Sequence, residues 1–140
     1  MPKVYVAPVS KLCQHSISCV SGFVQKAAVV ALDCVQEMEE MREIYKERRD
    51  LFVAKLNEIP GVRCEAPKGA FYAWVLFDIY GMSSEEICEY LIEHAKVVGM
   101  PGTAYGETQV AAMRFSFANA TQDMIDAGER IKTALLKLQP

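Results

Sequence analysis

Ala111-Ala112-Met113-Arg114-Phe115-Ser116-Phe117-Ala118 alternates apolar and polar side chains through its centre, and the fold follows from that alternation. A strand sends successive side chains to opposite faces, so Met113, Phe115 and Phe117 share one face and Arg114 and Ser116 the other. With the aromatic face in the core, the Arg114 guanidinium projects from the back of a rigid strand. Its planar fork there suits a carboxylate gripped through two hydrogen bonds. Spacing alone leaves a plainer reading open, an arginine on a solvated sheet face.

Upstream, Ala70 to Phe77 (AFYAWVLF) is an aromatic and β-branched run of strand length. It follows a Pro67-Lys68-Gly69 turn and the alternating Val62-Arg63-Cys64-Glu65-Ala66, a second strand. Val97-Val98-Gly99-Met100 predicts a short strand ending at Pro101-Gly102. Ser83-Ser84-Glu85-Glu86 spells a capping box, in which the Ser83 hydroxyl accepts from the Glu86 amide while the Glu86 side chain reaches back. Ile87, Leu91 and Ala95 then recur at helical spacing, predicting a helix over 83–94. Downstream, Met124, Gly128, Ile131, Leu135 and Leu138 mark an amphipathic C-terminal helix begun by Asn119 or Thr121.

Two further helices precede the strands. Ser21 to Cys34 (SGFVQKAAVVALDC) places Phe23, Ala27, Val30, Ala31 and Cys34 at spacings that fit a buried helix, with Ser21 as N-cap. Gln36 to Asn57 carries an apolar stripe of Met38, Met41, Tyr45, Phe52 and Leu56. Its basic residues Lys46, Arg48 and Arg49 interleave with Glu43, Glu47 and Asp50 and read as a solvated face. Pro60-Gly61 stops this helix. The first ten or so residues are expected to be unordered. The resulting order predicts an α+β two-layer sandwich, a small mostly antiparallel sheet with helices on one face, preceded by a long N-terminal helical segment. Residues 1–20 are expected to form an N-terminal extension and 21–140 one domain with its connecting helices.

Composition narrows the function classes. A chain of 140 residues, 51% hydrophobic, is long enough for one well-cored domain. Its mean hydropathy of +0.08 and its lack of a long apolar run argue against a membrane span. No secretory signal is visible after Met1, so cytoplasm is the expected compartment. Fifteen basic residues against 18 acids, net charge -3, argue against nucleic-acid binding. The five cysteines are irregularly spaced with no Cys-x-x-Cys, and are expected to be reduced, mostly buried thiols. Cys13, His15 and Cys19 lie close in sequence but lack a second pair to complete a tetrahedral metal set.

Few other stretches carry chemistry. The Pro101-Gly102-Thr103-Ala104-Tyr105-Gly106 loop sets an aromatic between glycines, which suits either close approach to a ligand or an ordinary connection. In Gly69-Ala70-Phe71-Tyr72, one aromatic must face away from the core, to line a pocket or to pack. No glycine-rich phosphate cradle is present, and His15 and His94 lack an evident nucleophile partner. His94 near the end of its helix is most simply a charge favoured by the helix dipole, and Glu85-Glu86 are accounted for by capping. The residues make up no self-contained catalytic constellation.

Taken together, Lys11-Leu12-x-Gln14-His15-Ser16, Gln25-Lys26-Ala27-Ala28, Met41 with Tyr45 and Arg48-Arg49-Asp50, Pro67-x-Gly69-Ala70-Phe71-Tyr72, the Pro101 to Gly106 loop and Arg114-Phe115-Ser116-Phe117-Ala118 carry a resemblance. In that order they resemble the C-terminal, small domain of class I/II, fold-type I, pyridoxal-phosphate-dependent aminotransferases of the aspartate aminotransferase-like group. The resemblance implies that Arg114 binds the α-carboxylate of an amino-acid or 2-oxo-acid substrate, with Phe71 and Tyr72 beside it. It also implies that residues from about Ser21 to Asn57 pass from a large domain into the small one.

The departures are equally informative. The family's cofactor lysine sits in a Ser-x-x-Lys-type segment before a Gly-Tyr-x-x-Ala-Pro stretch, and here only Tyr5-Val6-Ala7-Pro8 resembles the tail of that stretch. The resemblance therefore implies pyridoxal 5'-phosphate in the intact enzyme, none bound by this chain, and no catalytic residue within it. The isolated chain is expected to be inactive, to lack its large domain as partner, and to self-associate. Two alternatives stand beside this: a non-catalytic α+β module that binds a small carboxylate, and a structural, self-associating fragment.

Overall fold

A computed structural model describes residues 1–78, 80–106 and 111–138, which divide into two units, Met1–Glu39 and Glu40–Pro140. Helices α1 (Lys3–Ser16) and α2 (Gly22–Ala31) belong to the first unit, and α3 (Val35–Asn57) begins there. The rest of α3 leads into β1 (Val62–Cys64), β2 (Tyr72–Phe77), α4 (Ser84–Ala95), β3 (Met100–Pro101), β4 (Ala112–Ser116) and α5 (Thr121–Leu136). None of the helices among the described residues is long and apolar enough to cross a membrane.

The first unit differs from expectation in two ways. Its opening residues are helical rather than unordered. The helix runs through Pro8, which forfeits one backbone hydrogen bond, and the good helix formers Lys3, Ala7, Lys11, Leu12 and Gln14 carry it across. Helix α2 has the expected periodicity but no buried residue: Phe23 is 77% exposed, and Val29, Val30 and Leu32 are exposed with it. Periodicity specifies which side chains would meet a cover, not whether one is supplied. Ser21 stands at the N-cap without making a side-chain bond.

The second unit is the α+β sandwich. Its four strands are antiparallel throughout, in the order β1-β2-β4-β3. Val75, Phe77, Met113 and Phe115 on the inner sheet face share one core with Phe52 and Leu56 of α3, Ile87 and Leu91 of α4, and Ile131 and Leu135 of α5. The alternation of 113–117 is realised: Met113, Phe115 and Phe117 are buried, and Arg114 and Ser116 are not. On α3 only the C-terminal part of the expected stripe is buried, Met38 and Met41 being exposed and Tyr45 half-buried.

Local signals explain where the elements begin. The capping box forms as read, with the Glu86 amide donating to the Ser83 hydroxyl at 3.3 Å and the Ser83 amide to Glu86 at 2.8 Å. Helix α5 instead starts after Ala120, whose side chain cannot cap, so neither Asn119 nor Thr121 plays that part. Strand β3 starts three residues later than its apolar run suggests, because Val97 is taken into the core while Val98 is 75% exposed. Asn57 clamps β1 to the end of α3 by donating to the Cys64 carbonyl (2.9 Å) and accepting from the Cys64 amide (2.8 Å). Tyr90 ties α4 to α5 through its hydroxyl, which donates to the Ala134 carbonyl at 2.9 Å. All five cysteines are free, and only Cys64 is buried, so the expectation of mostly buried thiols fails where Cys13 and Cys19 sit on the exposed first unit.

Candidate functional site

Strand β4 is an inner strand of the sheet, and Arg114 sits at its middle, in register with Trp74 of β2 on one side and Met100 of β3 on the other. Backbone pairing on both flanks makes the Cα position rigid. The side chain emerges on the face away from the helices and is clasped by two aromatic rings. Its guanidinium carbon lies 4.0 Å from the centre of the Tyr72 ring and 4.9 Å from that of Tyr105. Tyr105 is in turn braced edge-on by Trp74, with ring centres 5.6 Å apart at 79°.

This arrangement has a chemical consequence. Stacked rings satisfy the flat faces of a guanidinium and leave its N–H edge open, the edge that pairs with carboxylates. Among the described residues, no carboxylate forms an ion pair with Arg114, an uncommon state for a half-buried arginine on a packed sheet. Arg114 is thus half-buried against aromatic rings rather than fully solvated.

Tyr105 reaches Arg114 because of a 3-10 turn, Gly102–Tyr105, that follows β3. The N-terminus of α4 holds that turn. The Thr103 hydroxyl donates to Glu85, and the buried Ser84 hydroxyl donates to Glu85 at 3.0 Å while lying 3.4 Å from the Thr103 hydroxyl. Donation from Thr103 is the main reason that the exposed Glu85 carboxyl lies below the usual glutamate range. Glu85 is thus a strut for the loop as well as a first-turn acid favoured by the helix dipole, a role that capping alone does not account for.

The structure separates the two aromatic candidates. Tyr72 belongs to the Arg114 cluster, whereas the Phe71 ring lies 6.4 Å from that of Tyr45 on α3 and touches Arg114 only through Tyr72, 4.6 Å away. Sequence reasoning missed Tyr105 and Trp74 as members of the site. The signal for Tyr105 was present as an aromatic between Gly102 and Gly106, the latter with φ +146°, where a side chain would be strained. Beside the cluster and sharing Tyr72 and Trp74, a half-open groove of about 570 Å³ runs along the same sheet face, with Arg63 and Lys68 at its margin. Among the described residues, no group of three or more histidines, cysteines or carboxylates is placed to hold a metal ion.

Comparison with known proteins identifies a family. The family model described as aminotransferase class I and II matches residues 5–129. An aspartate aminotransferase of Pyrococcus horikoshii is 39% identical over 137 residues, covering 96% of this chain and 35% of that protein. An aspartate aminotransferase of Musicola paradisiaca is 35% identical over 138 residues, covering 96% of this chain and 34% of that protein. Among solved structures, an aromatic aminotransferase from Pyrococcus horikoshii superposes with a TM-score of 0.84 at 34% identity, covering 92% of this chain and 36% of that one. The chain therefore spans about a third of the length of these relatives.

Proposed function

This chain belongs to the class I and II aminotransferase family, and on that premise we propose that it is the small-domain portion of a pyridoxal-phosphate-dependent aminotransferase, carrying recognition of the substrate α-carboxylate. The observation that carries this reading is the Arg114 guanidinium beside the Tyr72 and Tyr105 rings with no acidic partner among the described residues. A carboxylate meeting that edge gains two charge-assisted hydrogen bonds from a donor whose orientation is already fixed, so little side-chain entropy is lost on binding. The substrates are an amino acid and a 2-oxo acid, and the compartment is the cytoplasm.

In the intact enzyme the cofactor supplies the electron sink for amino-group transfer. The residues around Arg114 do not fit a site for it. Its contacts are the Tyr72 and Tyr105 rings, and among the described residues no lysine joins them. This chain's own part is to bind the carboxylate, orient it from a rigid strand, and exclude water with Tyr72 and Tyr105 as that edge is covered. We assign residues 21–140 to the small domain with its connecting helices, and 1–20 to an N-terminal extension.

The test is titration of the full chain with 2-oxoglutarate and with an amino acid, followed through the amide resonances of β4 and of the Gly102–Tyr105 turn. A saturable shift in the wild type, lost in Arg114→Ala and weakened by at least about tenfold in Arg114→Lys, is expected because lysine cannot reproduce the fork. An identical response in Arg114→Ala refutes the assignment. The chain with added pyridoxal phosphate is expected to transfer no amino group, and sustained transfer would overturn that part.

The exposed apolar face of α2 favours a second activity of the isolated chain, self-association.

A further inference from the structure

A second groove lies at Phe71, whose ring is 4.6 Å from that of Tyr72. Residues Arg42, Lys46 and Arg49 follow one another at four- and three-residue spacing on α3, which puts them on a single helix face with Tyr45. The turn between β1 and β2 faces them and brings up Lys68 and the 43%-exposed Phe71. The result is a half-open groove of about 410 Å³ with four cations at its rim, tilted aromatic rings along its wall, and no carboxylate in its lining. That volume is in the range of small-molecule sites, about 300–1,000 Å³.

The groove is built rather than incidental. Arg49 is half-buried and donates from Nη1 to the Pro67 carbonyl at 3.2 Å, which pins the turn carrying Lys68 and Phe71 against α3. This is where the basic stretch departs from the solvated face that its interleaved charges suggest. Arg48, one residue earlier, stacks over the outer side of Tyr45 at 5.5 Å and adds to the local positive charge. Acids also stand beside the groove: Glu43 pairs with Arg42 and Lys46, and Asp50 with Arg49. The carboxylates of these three pairs are exposed, so the pairs contribute little and yield to a ligand that brings more negative charge. Lys68 makes no ion pair among the described residues.

We propose that this groove binds a phosphorylated ligand that carries a planar ring, of the nucleoside diphosphate class. A single carboxylate would engage only one of the four side chains, whereas a diphosphate supplies several acceptor oxygens to reach the arginine forks and both lysines. The exposed Phe71 ring offers a stacking surface for a flat base. The site is independent of Arg114, and its ligand differs in class from a substrate carboxylate.

The experiment is calorimetric titration of the full chain with ADP, pyrophosphate and adenosine at about 50 mM salt, where screening is moderate. ADP is expected to bind saturably and several-fold more tightly than pyrophosphate, with adenosine silent. A Lys46→Ala/Lys68→Ala variant, which alters only exposed side chains, is expected to lose at least about tenfold in ADP affinity with an unchanged circular dichroism spectrum. Arg114→Ala is expected to bind ADP like the wild type, which separates this site from the carboxylate reading. Absence of saturable ADP binding, equal affinity for ADP and pyrophosphate, or an undiminished affinity in the double variant overturns the proposal.

Discussion

Gly99→Ala tests whether the packing beneath Arg114 is as tight as the structure shows. Gly99 lies just before β3, and a Cβ built on it would stand 2.8 Å from Met113 Cε and 2.8 Å from Phe115 Cε1, with Phe115 Cδ1 at 3.1 Å. Real Cβ atoms do not approach so closely, so something must move. The Met113 methyl is the end of a flexible chain and yields cheaply. Phe115 cannot: it is 2% exposed, lies on the inner strand β4, and meets the Phe52 ring edge-on at 6.2 Å. Overpacking of this kind costs about 1–3 kcal/mol. Against it stands about 0.4–1 kcal/mol gained because alanine restricts the unfolded chain. The net is a loss of about 1–2 kcal/mol, equivalent to a fall in Tm of roughly 5–10 °C for a domain of this size. Urea denaturation at constant m-value measures it, and because Phe115 adjoins Arg114 the same variant is expected to weaken carboxylate binding. Placing Gly99→Ala on a Phe115→Leu background is expected to recover part of its cost, since the obstructing ring edge is gone. A Gly99→Ala protein as stable as the wild type, or more so, refutes the reasoning.

Glu85 makes the loop over Arg114 sensitive to acid. Its carboxyl is held below the usual range chiefly by the Thr103 hydroxyl, so the stabilisation is present above the unfolded glutamate pKa and is lost as pH falls through the lower folded value. Ring-current shifts of Tyr105 followed from neutral pH to about pH 3 are expected to report the loosening, and Glu85→Gln to abolish its pH dependence. The thiols are expected to separate by reactivity: burial raises Cys64 to about 11, so alkylation near pH 8 followed by peptide mapping should modify the exposed Cys13 and Cys19 and spare it. Phe23→Asp on α2 is expected to reduce concentration-dependent association in sedimentation velocity without changing the unfolding midpoint, because no residue of α2 is buried.

The amino-acid sequence by itself determined whatever depends on neighbours along the chain. The capping box at Ser83 and Glu86 and the burial of Met113, Phe115 and Phe117 could be read directly, because caps and strand alternation are set by residues one to four positions apart. The alternation also placed Arg114 on the outer face. Where a cap had alternatives the reading slipped, as at α5, which begins after Ala120 between two better capping residues. Burial was less legible, because it depends on a second surface: α2 has a core-like spacing and no cover, and the exposed first turns of α3 share that fate. Only the tertiary structure decided what surrounds Arg114. Its clasp joins Tyr72, 42 positions earlier in the chain, to Tyr105, through a turn that Glu85 and Thr103 hold in place. Whether an arginine is solvated or poised for a ligand depends on which rings and charges reach it across the sheet, and those distances are set by strand register and helix packing rather than by spacing along the chain.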